Sequence, residues 1–231
     1  MSEISNNDQI YRNKLNKTFA RRIGKTLSDT NKYLLSEVMP KYIYDNQKIS
    51  ADQREKYLEI GFGMGEHIMH HIINNPNALY IGAEVYLNGV ANFLKVMSDF
   101  DNQNFMLWPD DVDLILDNMP SNSLNGIYIL FPDPWHKRKY LPRRLLNISR
   151  LAKIKDKLKN GGFLSFASDI SDYFSLACDL LLQDEDFKCK NNDFLQAHAG
   201  YIETKYHQKA IIEGRNPQFI TAIYNNLKGG G

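Results

Sequence analysis

The chain has 231 residues, of which 43% are hydrophobic, and a formal net charge of +1. That length and composition suit one sizeable globular domain with a substantial core. The opening MSEISNND lacks the apolar core of a secretory signal, and no 18-residue apolar run predicts a membrane span. Because Cys178 and Cys189 lack ligand-like spacing, we expect reduced thiols in a cytoplasmic protein.

Basic residues concentrate in two stretches. Between residues 12 and 25 there is no acid, and the basic residues there are Arg12, Lys14, Lys17, Arg21, Arg22 and Lys25. The second stretch, HKRKYLPRR, runs from His136 to Arg144. Together they indicate a polyanion held at chosen places, although either patch alone is equally well explained as solvated surface. Residues 1–45 are predicted to form a basic N-terminal arm and a first helix. The helix covers residues 26–44, and its weak apolar stripe ends before Pro40.

Short apolar runs alternate with helical patterns from Lys56 onward. The predicted strands are Tyr57–Gly61, Leu79–Glu84, Asn104–Trp108, Gly126–Phe131, Gly162–Ala167 and Phe219–Tyr224. The predicted helices cover residues 65–74, 87–99, 111–118, 144–159 and 171–182, with Asn160-Gly161-Gly162 as a helix stop. This alternation predicts a doubly wound α/β domain with a mostly parallel sheet over residues 46–228.

A glycine-rich turn follows the first predicted strand, in LEIGFGMGEH. Gly61, Gly63 and Gly65 let the backbone turn tightly and approach a nucleotide-like ligand. A dinucleotide-binding turn has glycine or alanine where this chain has Glu66, whose carboxylate would repel a pyrophosphate at the helix N-terminus. S-adenosylmethionine has no phosphate and carries a cationic sulfonium and ammonium, so the turn favours this cofactor.

Acidic residues stand at or near the ends of successive strands. Glu59 is placed to serve the cationic end of the cofactor, and Glu84 to accept hydrogen bonds from both ribose hydroxyls. Asp110 is placed to meet the adenine amino group, with Asp111 as a rival that spacing does not exclude. With the glycine turn, these residues predict an S-adenosylmethionine-dependent methyltransferase.

The fourth predicted strand runs into FPDPWHK, in which two prolines flank Asp133. The prolines stiffen the loop and remove two backbone donors. Because the crevice of an open parallel sheet lies at the carboxyl ends of its strands, we predict that this loop holds Asp133 and Trp135 over the methyl donor. The alternative role for Trp135 is packing within the loop.

The motifs LEIGFGMGEH, GAEVY, FPDPWHK, ASD and TKY, in this order, resemble the bacterial tRNA (guanine-N7-)-methyltransferases over roughly residues 20–224. These are class I, S-adenosylmethionine-dependent enzymes with a Rossmann-like, seven-stranded fold. The resemblance implies methyl transfer to the variable-loop guanosine, position 46 of tRNA. We expect no obligatory protein partner, and either a monomer or a homodimer.

The same resemblance assigns residues to the cofactor and to the RNA. The implied cofactor contacts are Glu59, Glu84, Asp110 and Asp133, of which Asp133 is also the active-site acid. The implied RNA contacts are Lys137, Asp169, Thr204, Lys205, Tyr206 and His207. Our candidates for holding phosphates, contacts that position RNA without reading its sequence, are Arg21, Arg22, Arg143 and Arg144.

The chain departs from the family pattern in three places. His207 stands where the family has a glutamate, which removes a carboxylate from that loop. Tyr140 and Pro142 replace a histidine and a lysine, which removes one charge from the phosphate-binding loop. The pattern is also diluted over Glu213–Pro217, so we expect a different shape for the final turn.

The implied chemistry needs no general base, because guanine N7 has a lone pair and no proton. Catalysis then depends on alignment of the reacting atoms and on a carboxylate that stabilises developing positive charge. We hypothesise that Asp133 accepts hydrogen bonds from guanine N1–H and the N2 amino group. For Asp169, capping the next helix together with Ser168 is an equal alternative.

These motifs also allow other interpretations. Asp133-Pro134-Trp135 echoes the motif of exocyclic-amine methyltransferases, although the second proline of that motif is missing. His207 leaves room for a non-catalytic tRNA-binding protein. His67, His70 and His71 share a predicted helix, but without a nearby carboxylate or thiol pattern we expect no metal site.

Overall fold

The structure is a computed structural model that describes residues 21–101, 104–190 and 193–226. Most of the predicted basic arm, including Arg12, Lys14 and Lys17, lies outside these residues. The predicted domain limits, residues 1–45 and 46–228, therefore stay a prediction. Within the described part of the chain, no helix has both the length and the apolar character that crossing a membrane requires.

A seven-stranded sheet forms the centre of the fold. Its strands are β1 (Glu55–Ile60), β2 (Ala78–Ala83), β3 (Phe105–Trp108), β4 (Leu124–Leu130), β5 (Leu158–Ser168), β6 (Phe187–Cys189) and β7 (Gln218–Tyr224). They lie in the order β3-β2-β1-β4-β5-β7-β6, and only β7 pairs antiparallel with its neighbours. The predicted doubly wound, mostly parallel sheet is therefore confirmed, including its seven strands.

Helices connect these strands. Their bounds are α1 (Asp29–Tyr33), α2 (Asn46–Ala51), α3 (Glu66–Asn74), α4 (Leu87–Met97), α5 (Val112–Leu116), α6 (Ile148–Lys157), α7 (Ser171–Leu182) and α8 (Lys205–Ile212). One large apolar cluster packs α5, α6 and α7 on the sheet, and another packs α3, α4 and the segment after α1. Because both clusters draw on β1–β3, the strands are apolar along most of their length, as buried parallel strands require.

The helix predicted over residues 26–44 is not one regular helix. A π-helical turn at Leu34–Val38 and a 3-10 helix at Met39–Tyr42 follow α1. The prediction of one continuous helix was therefore wrong, and helical structure continues past Pro40, before which the apolar stripe ends. Proline sits in the first turn of the 3-10 helix, where its missing N–H would have no helical partner.

The predicted helix stop at Asn160-Gly161-Gly162 was also wrong. Helix α6 ends at Lys157, and these residues lie inside β5. Gly161 has φ +81°, and the pairing of β4 with β5 shifts register between Leu124 and Gly126. The glycines therefore mark a bulge within a strand, which is the other common role of glycine in such a pattern. The sequence prediction also did not include α2, β6 and α8.

Candidate active site

The carboxyl ends of β1, β2 and β4 open onto a cleft of about 1000 Å³. The residues predicted for the site that line it are Gly61, Gly63, Glu84, Asp110, Asp133, Arg143, Arg144, Lys205 and Tyr206. Those that do not line it are Glu59, Gly65, Lys137, Asp169, Thr204 and His207. The cleft has the position that a parallel sheet gives to its ligand.

The glycine turn forms one wall of the cleft. Gly61 has φ +77° and donates its N–H to the carbonyl of Ala83 at 2.7 Å, so the turn is fastened to the end of β2. A Cβ added to Gly61 would meet no atom within 4 Å, because that side faces the open cleft. A Cβ added to Gly63 would lie 3.0 Å from the ring of Tyr206. The turn therefore leaves its inner face clear for a ligand.

Glu84 lies at the end of β2 and is 8% exposed. Its Oε2 accepts the N–H of Gly63 at 2.7 Å, and its Oε1 accepts the N–H of Tyr86 at 2.7 Å. Burial raises the pKa of Glu84 to about 7, although these backbone donors act in the opposite direction. Each carboxylate oxygen has a second lone pair, so the group can still accept hydrogen bonds from a bound hydroxyl.

Asp110 and Asp111 both line the cleft but have different partners. Asp111 caps α5 by accepting the N–H of Asp113 at 3.0 Å. Asp110 receives Nη1 of Arg22 at 3.0 Å, and Arg22 also donates to the carbonyl of Pro109. Because the carboxylate of Asp111 caps a helix, Asp110 is the better candidate for the adenine. The sequence predicts that Arg22 holds phosphate, but in the structure its guanidinium binds Asp110 and Pro109 instead.

Glu59 does not reach the cleft. It is 5% exposed, and its Oε2 lies 2.7 Å from Nδ1 of His67 in α3. The structure thus places this carboxylate beside a histidine rather than at the cationic end of a ligand. It also removes the reason for expecting no metal site, since a carboxylate does lie next to the histidines of this helix.

The FPDPW loop forms the opposite wall and has an unusual backbone conformation. Phe131 and Trp135 have φ +52° and +44°, a region that non-glycine residues seldom adopt. The N–H of Phe131 bonds the carbonyl of Ala167 at 2.8 Å, which fixes the loop to β5. Asp133 stands exposed at the mouth of the cleft, yet crowding by protein atoms raises its pKa. Asp133 therefore lines the cleft and is open to solvent, and its role toward a ligand stays a prediction.

The two neighbouring arginines of the second basic stretch differ. Arg144 is 3% exposed, donates to the carbonyl of Pro134 at 2.9 Å and pairs with Asp172 at 2.6 Å. Its guanidinium also lies 4.5 Å from the ring centre of Tyr173. Arg144 therefore braces the FPDPW loop from inside the protein rather than facing a phosphate, and it is not solvated surface either.

Arg143 lies instead among aromatic rings. Its guanidinium is 4.2 Å from the ring centre of Tyr140 and 5.1 Å from that of Trp135. The two rings meet edge to face at 5.9 Å. Tyr140, which replaces a family histidine, thus helps to hold Arg143 at the edge of the cleft.

Residues 204–207 start α8 on the far side of the glycine turn. Thr204 caps the helix through the N–H of His207 at 3.3 Å, and Nδ1 of His207 lies 3.0 Å from the hydroxyl of Tyr201. The ring of Tyr206 lies next to Gly63. Burial, and to a smaller extent the charge of Glu84, raises the pKa of Tyr206. Tyr206 and Lys205 thus face the cleft, whereas Thr204 and His207 support the helix.

Two further predicted RNA contacts do not line the cleft. Asp169 pairs with Nε of Arg215 at 2.5 Å, and Arg215 also pairs with Glu213. Helix α7 begins after Ile170 without a side-chain cap, so Asp169 does not cap it. Lys137 is exposed beyond the FPDPW loop.

Known proteins resemble this chain over most of its length. The family model described as "Putative methyltransferase" matches residues 53–219. A tRNA (guanine-N(7)-)-methyltransferase of Wolbachia pipientis is 33% identical over 84% of this chain and 89% of its own length. The corresponding enzyme of Agrobacterium fabrum is 33% identical over 89% of this chain and 94% of its own.

The chain belongs to the tRNA (guanine-N7-)-methyltransferase family.

Some relatives are longer than this chain. A protein of Rickettsia conorii named "Bifunctional methyltransferase" is 53% identical over 89% of this chain, which spans about two-fifths (40%) of that relative's length. Among solved structures, the 16S rRNA methyltransferase KamB aligns over 79% of this chain and 94% of its own, with a TM-score of 0.57 and 12% identity. That likeness shows the fold alone.

The cofactor of this methyltransferase family is S-adenosylmethionine, and the cleft fits it. The inner face of Gly61 is clear of protein atoms, and Glu84 can still accept hydroxyl donors. The glycine turn is followed by Glu66 in the first turn of α3, which suits a ligand without phosphate.

Proposed function

We propose that this chain transfers a methyl group from S-adenosylmethionine to N7 of the variable-loop guanosine, position 46, of tRNA. The observation that carries the proposal is one continuous cleft with Glu84 on its cofactor wall and Asp133 at its mouth. The names of the Wolbachia and Agrobacterium relatives, which this chain matches over nearly their full lengths, support the substrate. A cytoplasmic location fits the same proposal.

Methylation at N7 suits the residues at the mouth of the cleft. When bound, S-adenosylmethionine supplies an electrophilic methyl group on its sulfonium. The N7 atom attacks with its own lone pair, so the site needs no group that removes a proton from the nucleophile. The purine becomes cationic, and Asp133 is the carboxylate that can stabilise this charge from the rigid FPDPW loop.

Asp133 is also the proposed selector for guanine. Its carboxylate can accept hydrogen bonds from N1–H and the N2 amino group, and adenine offers no such pair of donors on that edge. Asp133 lies beside Trp135, whose ring is held by Arg143 and Tyr140. In this proposal the ring of Trp135, which lines the cleft, stacks on the base once that base has left its helical stack.

Basic residues around the cleft are the proposed phosphate contacts. Arg21, Lys137 and Lys205 are exposed at or near its rim, and Arg143 lines it. We exclude Arg144 and Arg22 from this role, because their guanidinium groups serve internal partners. Contacts of the proposed kind position the RNA without reading its bases.

The test is methylation of an unmodified tRNA transcript with labelled cofactor, followed by strand cleavage specific for N7-methylguanosine. The matched control is the same transcript with adenosine at position 46. We expect label and cleavage at position 46 in the first transcript and neither in the second. Label on an exocyclic amine would favour the rival methyltransferase chemistry. Cofactor and tRNA binding without any transfer would favour the non-catalytic reading.

A further inference from the structure

Three histidines converge where α3 meets the segment that precedes α8. His67 and His71 lie one helical turn apart on α3, and His198 comes from the segment between β6 and α8. Nε2 of His67 is 3.0 Å from Nε2 of His198 and 3.1 Å from Nε2 of His71. All three nitrogen atoms lie within 4.8 Å of one another. The shared feature is a set of ring nitrogens that face one point.

Two of these rings, those of His67 and His198, are oriented by an outer group. Glu59 accepts a hydrogen bond from Nδ1 of His67 at 2.7 Å, and the hydroxyl of Ser165 lies 3.0 Å from Nδ1 of His198. Ser165 in turn contacts the hydroxyl of Thr221 at 3.1 Å. Binding of Nδ1 to an outer group, which leaves Nε2 pointing inward, is the arrangement typical of histidines that ligate a metal.

Hydrogen bonding among the rings alone leaves this centre poorly satisfied. When Nδ1–H of His67 donates to Glu59, the same ring has one lone pair on Nε2, and this atom faces two imidazoles. One lone pair accepts one good hydrogen bond. A cation at the centre would accept a lone pair from every ring instead.

The three rings are shielded from solvent. His67 and His71 are 1% and 7% exposed, and His198 is half-buried. Because water has little access, a metal ion at the centre is a suitable partner for the nitrogen lone pairs that point inward.

We propose that His67, His71 and His198 bind one divalent transition-metal ion, with Zn²⁺ as the best fit, and that Glu59 orients His67 for this purpose. Tetrahedral zinc with bonds of about 2.05 Å separates its nitrogen ligands by about 3.3 Å, close to the 3.0 and 3.1 Å between Nε2 of His67 and Nε2 of the other two histidines. Three imidazoles suit zinc or a neighbouring transition metal and do not suit magnesium or calcium.

The site lies outside the proposed methyl-transfer cleft. None of the four residues lines that cleft, and the proposal does not depend on the methylated atom. A metal there would fasten the segment around His198 to α3, directly after the glycine turn. The ring of Tyr201 packs 5.5 Å from that of His198, and Tyr201 bonds His207. The metal would therefore be structural, fixing the segment that leads to Tyr206.

The experiment measures metal on the whole chain. Purified protein is stripped with a chelator, dialysed against Zn²⁺ and then against metal-free buffer, and its metal is counted by mass spectrometry. We expect about one Zn²⁺ per wild-type chain and a loss of at least tenfold in His71→Gln and His198→Gln. His70→Gln is the matched control, since His70 neighbours His71 on α3 but is not one of the three converging rings.

Cobalt identifies the ligands in the unmodified protein, whatever the folding of the variants. Co²⁺ bound by three imidazoles gives visible absorption without a sulfur-to-cobalt charge-transfer band, whereas a site at Cys178 or Cys189 gives that band. The proposal is overturned if wild type retains less than a tenth of an equivalent, if the charge-transfer band appears, or if His70→Gln loses as much metal as His71→Gln.

Discussion

The guanidinium of Arg22 binds the carboxylate of Asp110 at 3.0 Å and so connects the start of the described chain to the end of β3. The two residues are 88 positions apart in sequence. The N–H of Leu87 also bonds the carbonyl of Arg22 at 2.8 Å. This segment is therefore fastened to the wall of the cleft through Arg22, whereas the adjacent Arg21 is exposed at the rim.

Arg22→Ala is expected to weaken binding of S-adenosylhomocysteine about two- to fivefold, because a partly exposed ion pair that orients Asp110 is lost. Arg21→Ala is the matched control and should leave that affinity unchanged. In tRNA titrations, Arg21→Ala should reduce the log–log salt slope by about one unit, and Arg22→Ala should not. The reverse pattern would contradict the assignment.

The affinity for S-adenosylhomocysteine should depend on pH through Glu84. Its folded pKa is raised to about 7, so the carboxylate is ionised at pH 8 and largely protonated at pH 6. Since the ionised form is the stronger acceptor for ribose hydroxyls, affinity should fall about tenfold from pH 8 to pH 6. Calorimetry checks this. Glu84→Gln should bind weakly at both values, and a slope that persists in this variant would exclude Glu84 as its source.

Asp133→Asn should lower methyl transfer to tRNA by roughly 10²–10³-fold, because a carboxylate that stabilises the cationic product is lost. Affinity for S-adenosylhomocysteine should stay within about twofold. Asp29→Asn serves as the control, since that carboxylate is 98% exposed in α1. Single-turnover assays with saturating cofactor measure the step, and near-normal turnover of Asp133→Asn would remove the residue from the mechanism.

Gly61 and Gly214 form a matched pair. Both have left-handed backbone, with φ +77° and +71°, and a Cβ on either would meet no atom within 4 Å. Alanine at either position should therefore lower the free energy of unfolding by a similar amount, about 1–2 kcal/mol. Only Gly61→Ala should also reduce binding of S-adenosylhomocysteine, by about tenfold or more, because its methyl group enters the cleft. Equal binding by both variants would mean that the cofactor lies elsewhere.

Arg144→Ala should lower the free energy of unfolding by about 1.5–3 kcal/mol, measured by denaturant titration. The loss comes mainly from the buried bond to Pro134 and the contact with Tyr173, since the side chain of Asp172 is 62% exposed. Arg143→Ala should cost less stability and should reduce the salt slope of tRNA binding. Two variants of equal stability would contradict the bracing role of Arg144.

The sheet could be predicted from sequence because its signals are local. Runs such as Ile127–Phe131 are apolar enough to identify a strand covered on both faces, and β4 is buried along most of its length. β6 has only three residues and carries no such pattern. The glycines of β5 carry the same signal as a helix stop, and only pairing with β4 makes them a bulge.

The position of a candidate residue could be predicted where one strand end or loop determines it. It could not be predicted where two distant segments of the chain meet. Asp133 and Glu84 follow directly from strand ends. Glu59 is also at a strand end, yet its partner is decided by the face that α3 presents to it. The spacing of His67 and His71 was a usable signal, but the third ring comes from His198, 131 residues beyond His67. No local sequence pattern predicts that residues so far apart lie side by side.

The position of β7 has a consequence for how the protein is made. β7 lies between β5 and β6, so the backbone edge of β5 and the three residues of β6 have no partner strand until residues 218–224 leave the ribosome. Phe131, at the start of the FPDPW loop, packs 6.2 Å from Phe219 on β7. The cleft is therefore completed only after synthesis has passed this strand, and a nascent chain that stops earlier has an open sheet edge and an unsupported FPDPW loop.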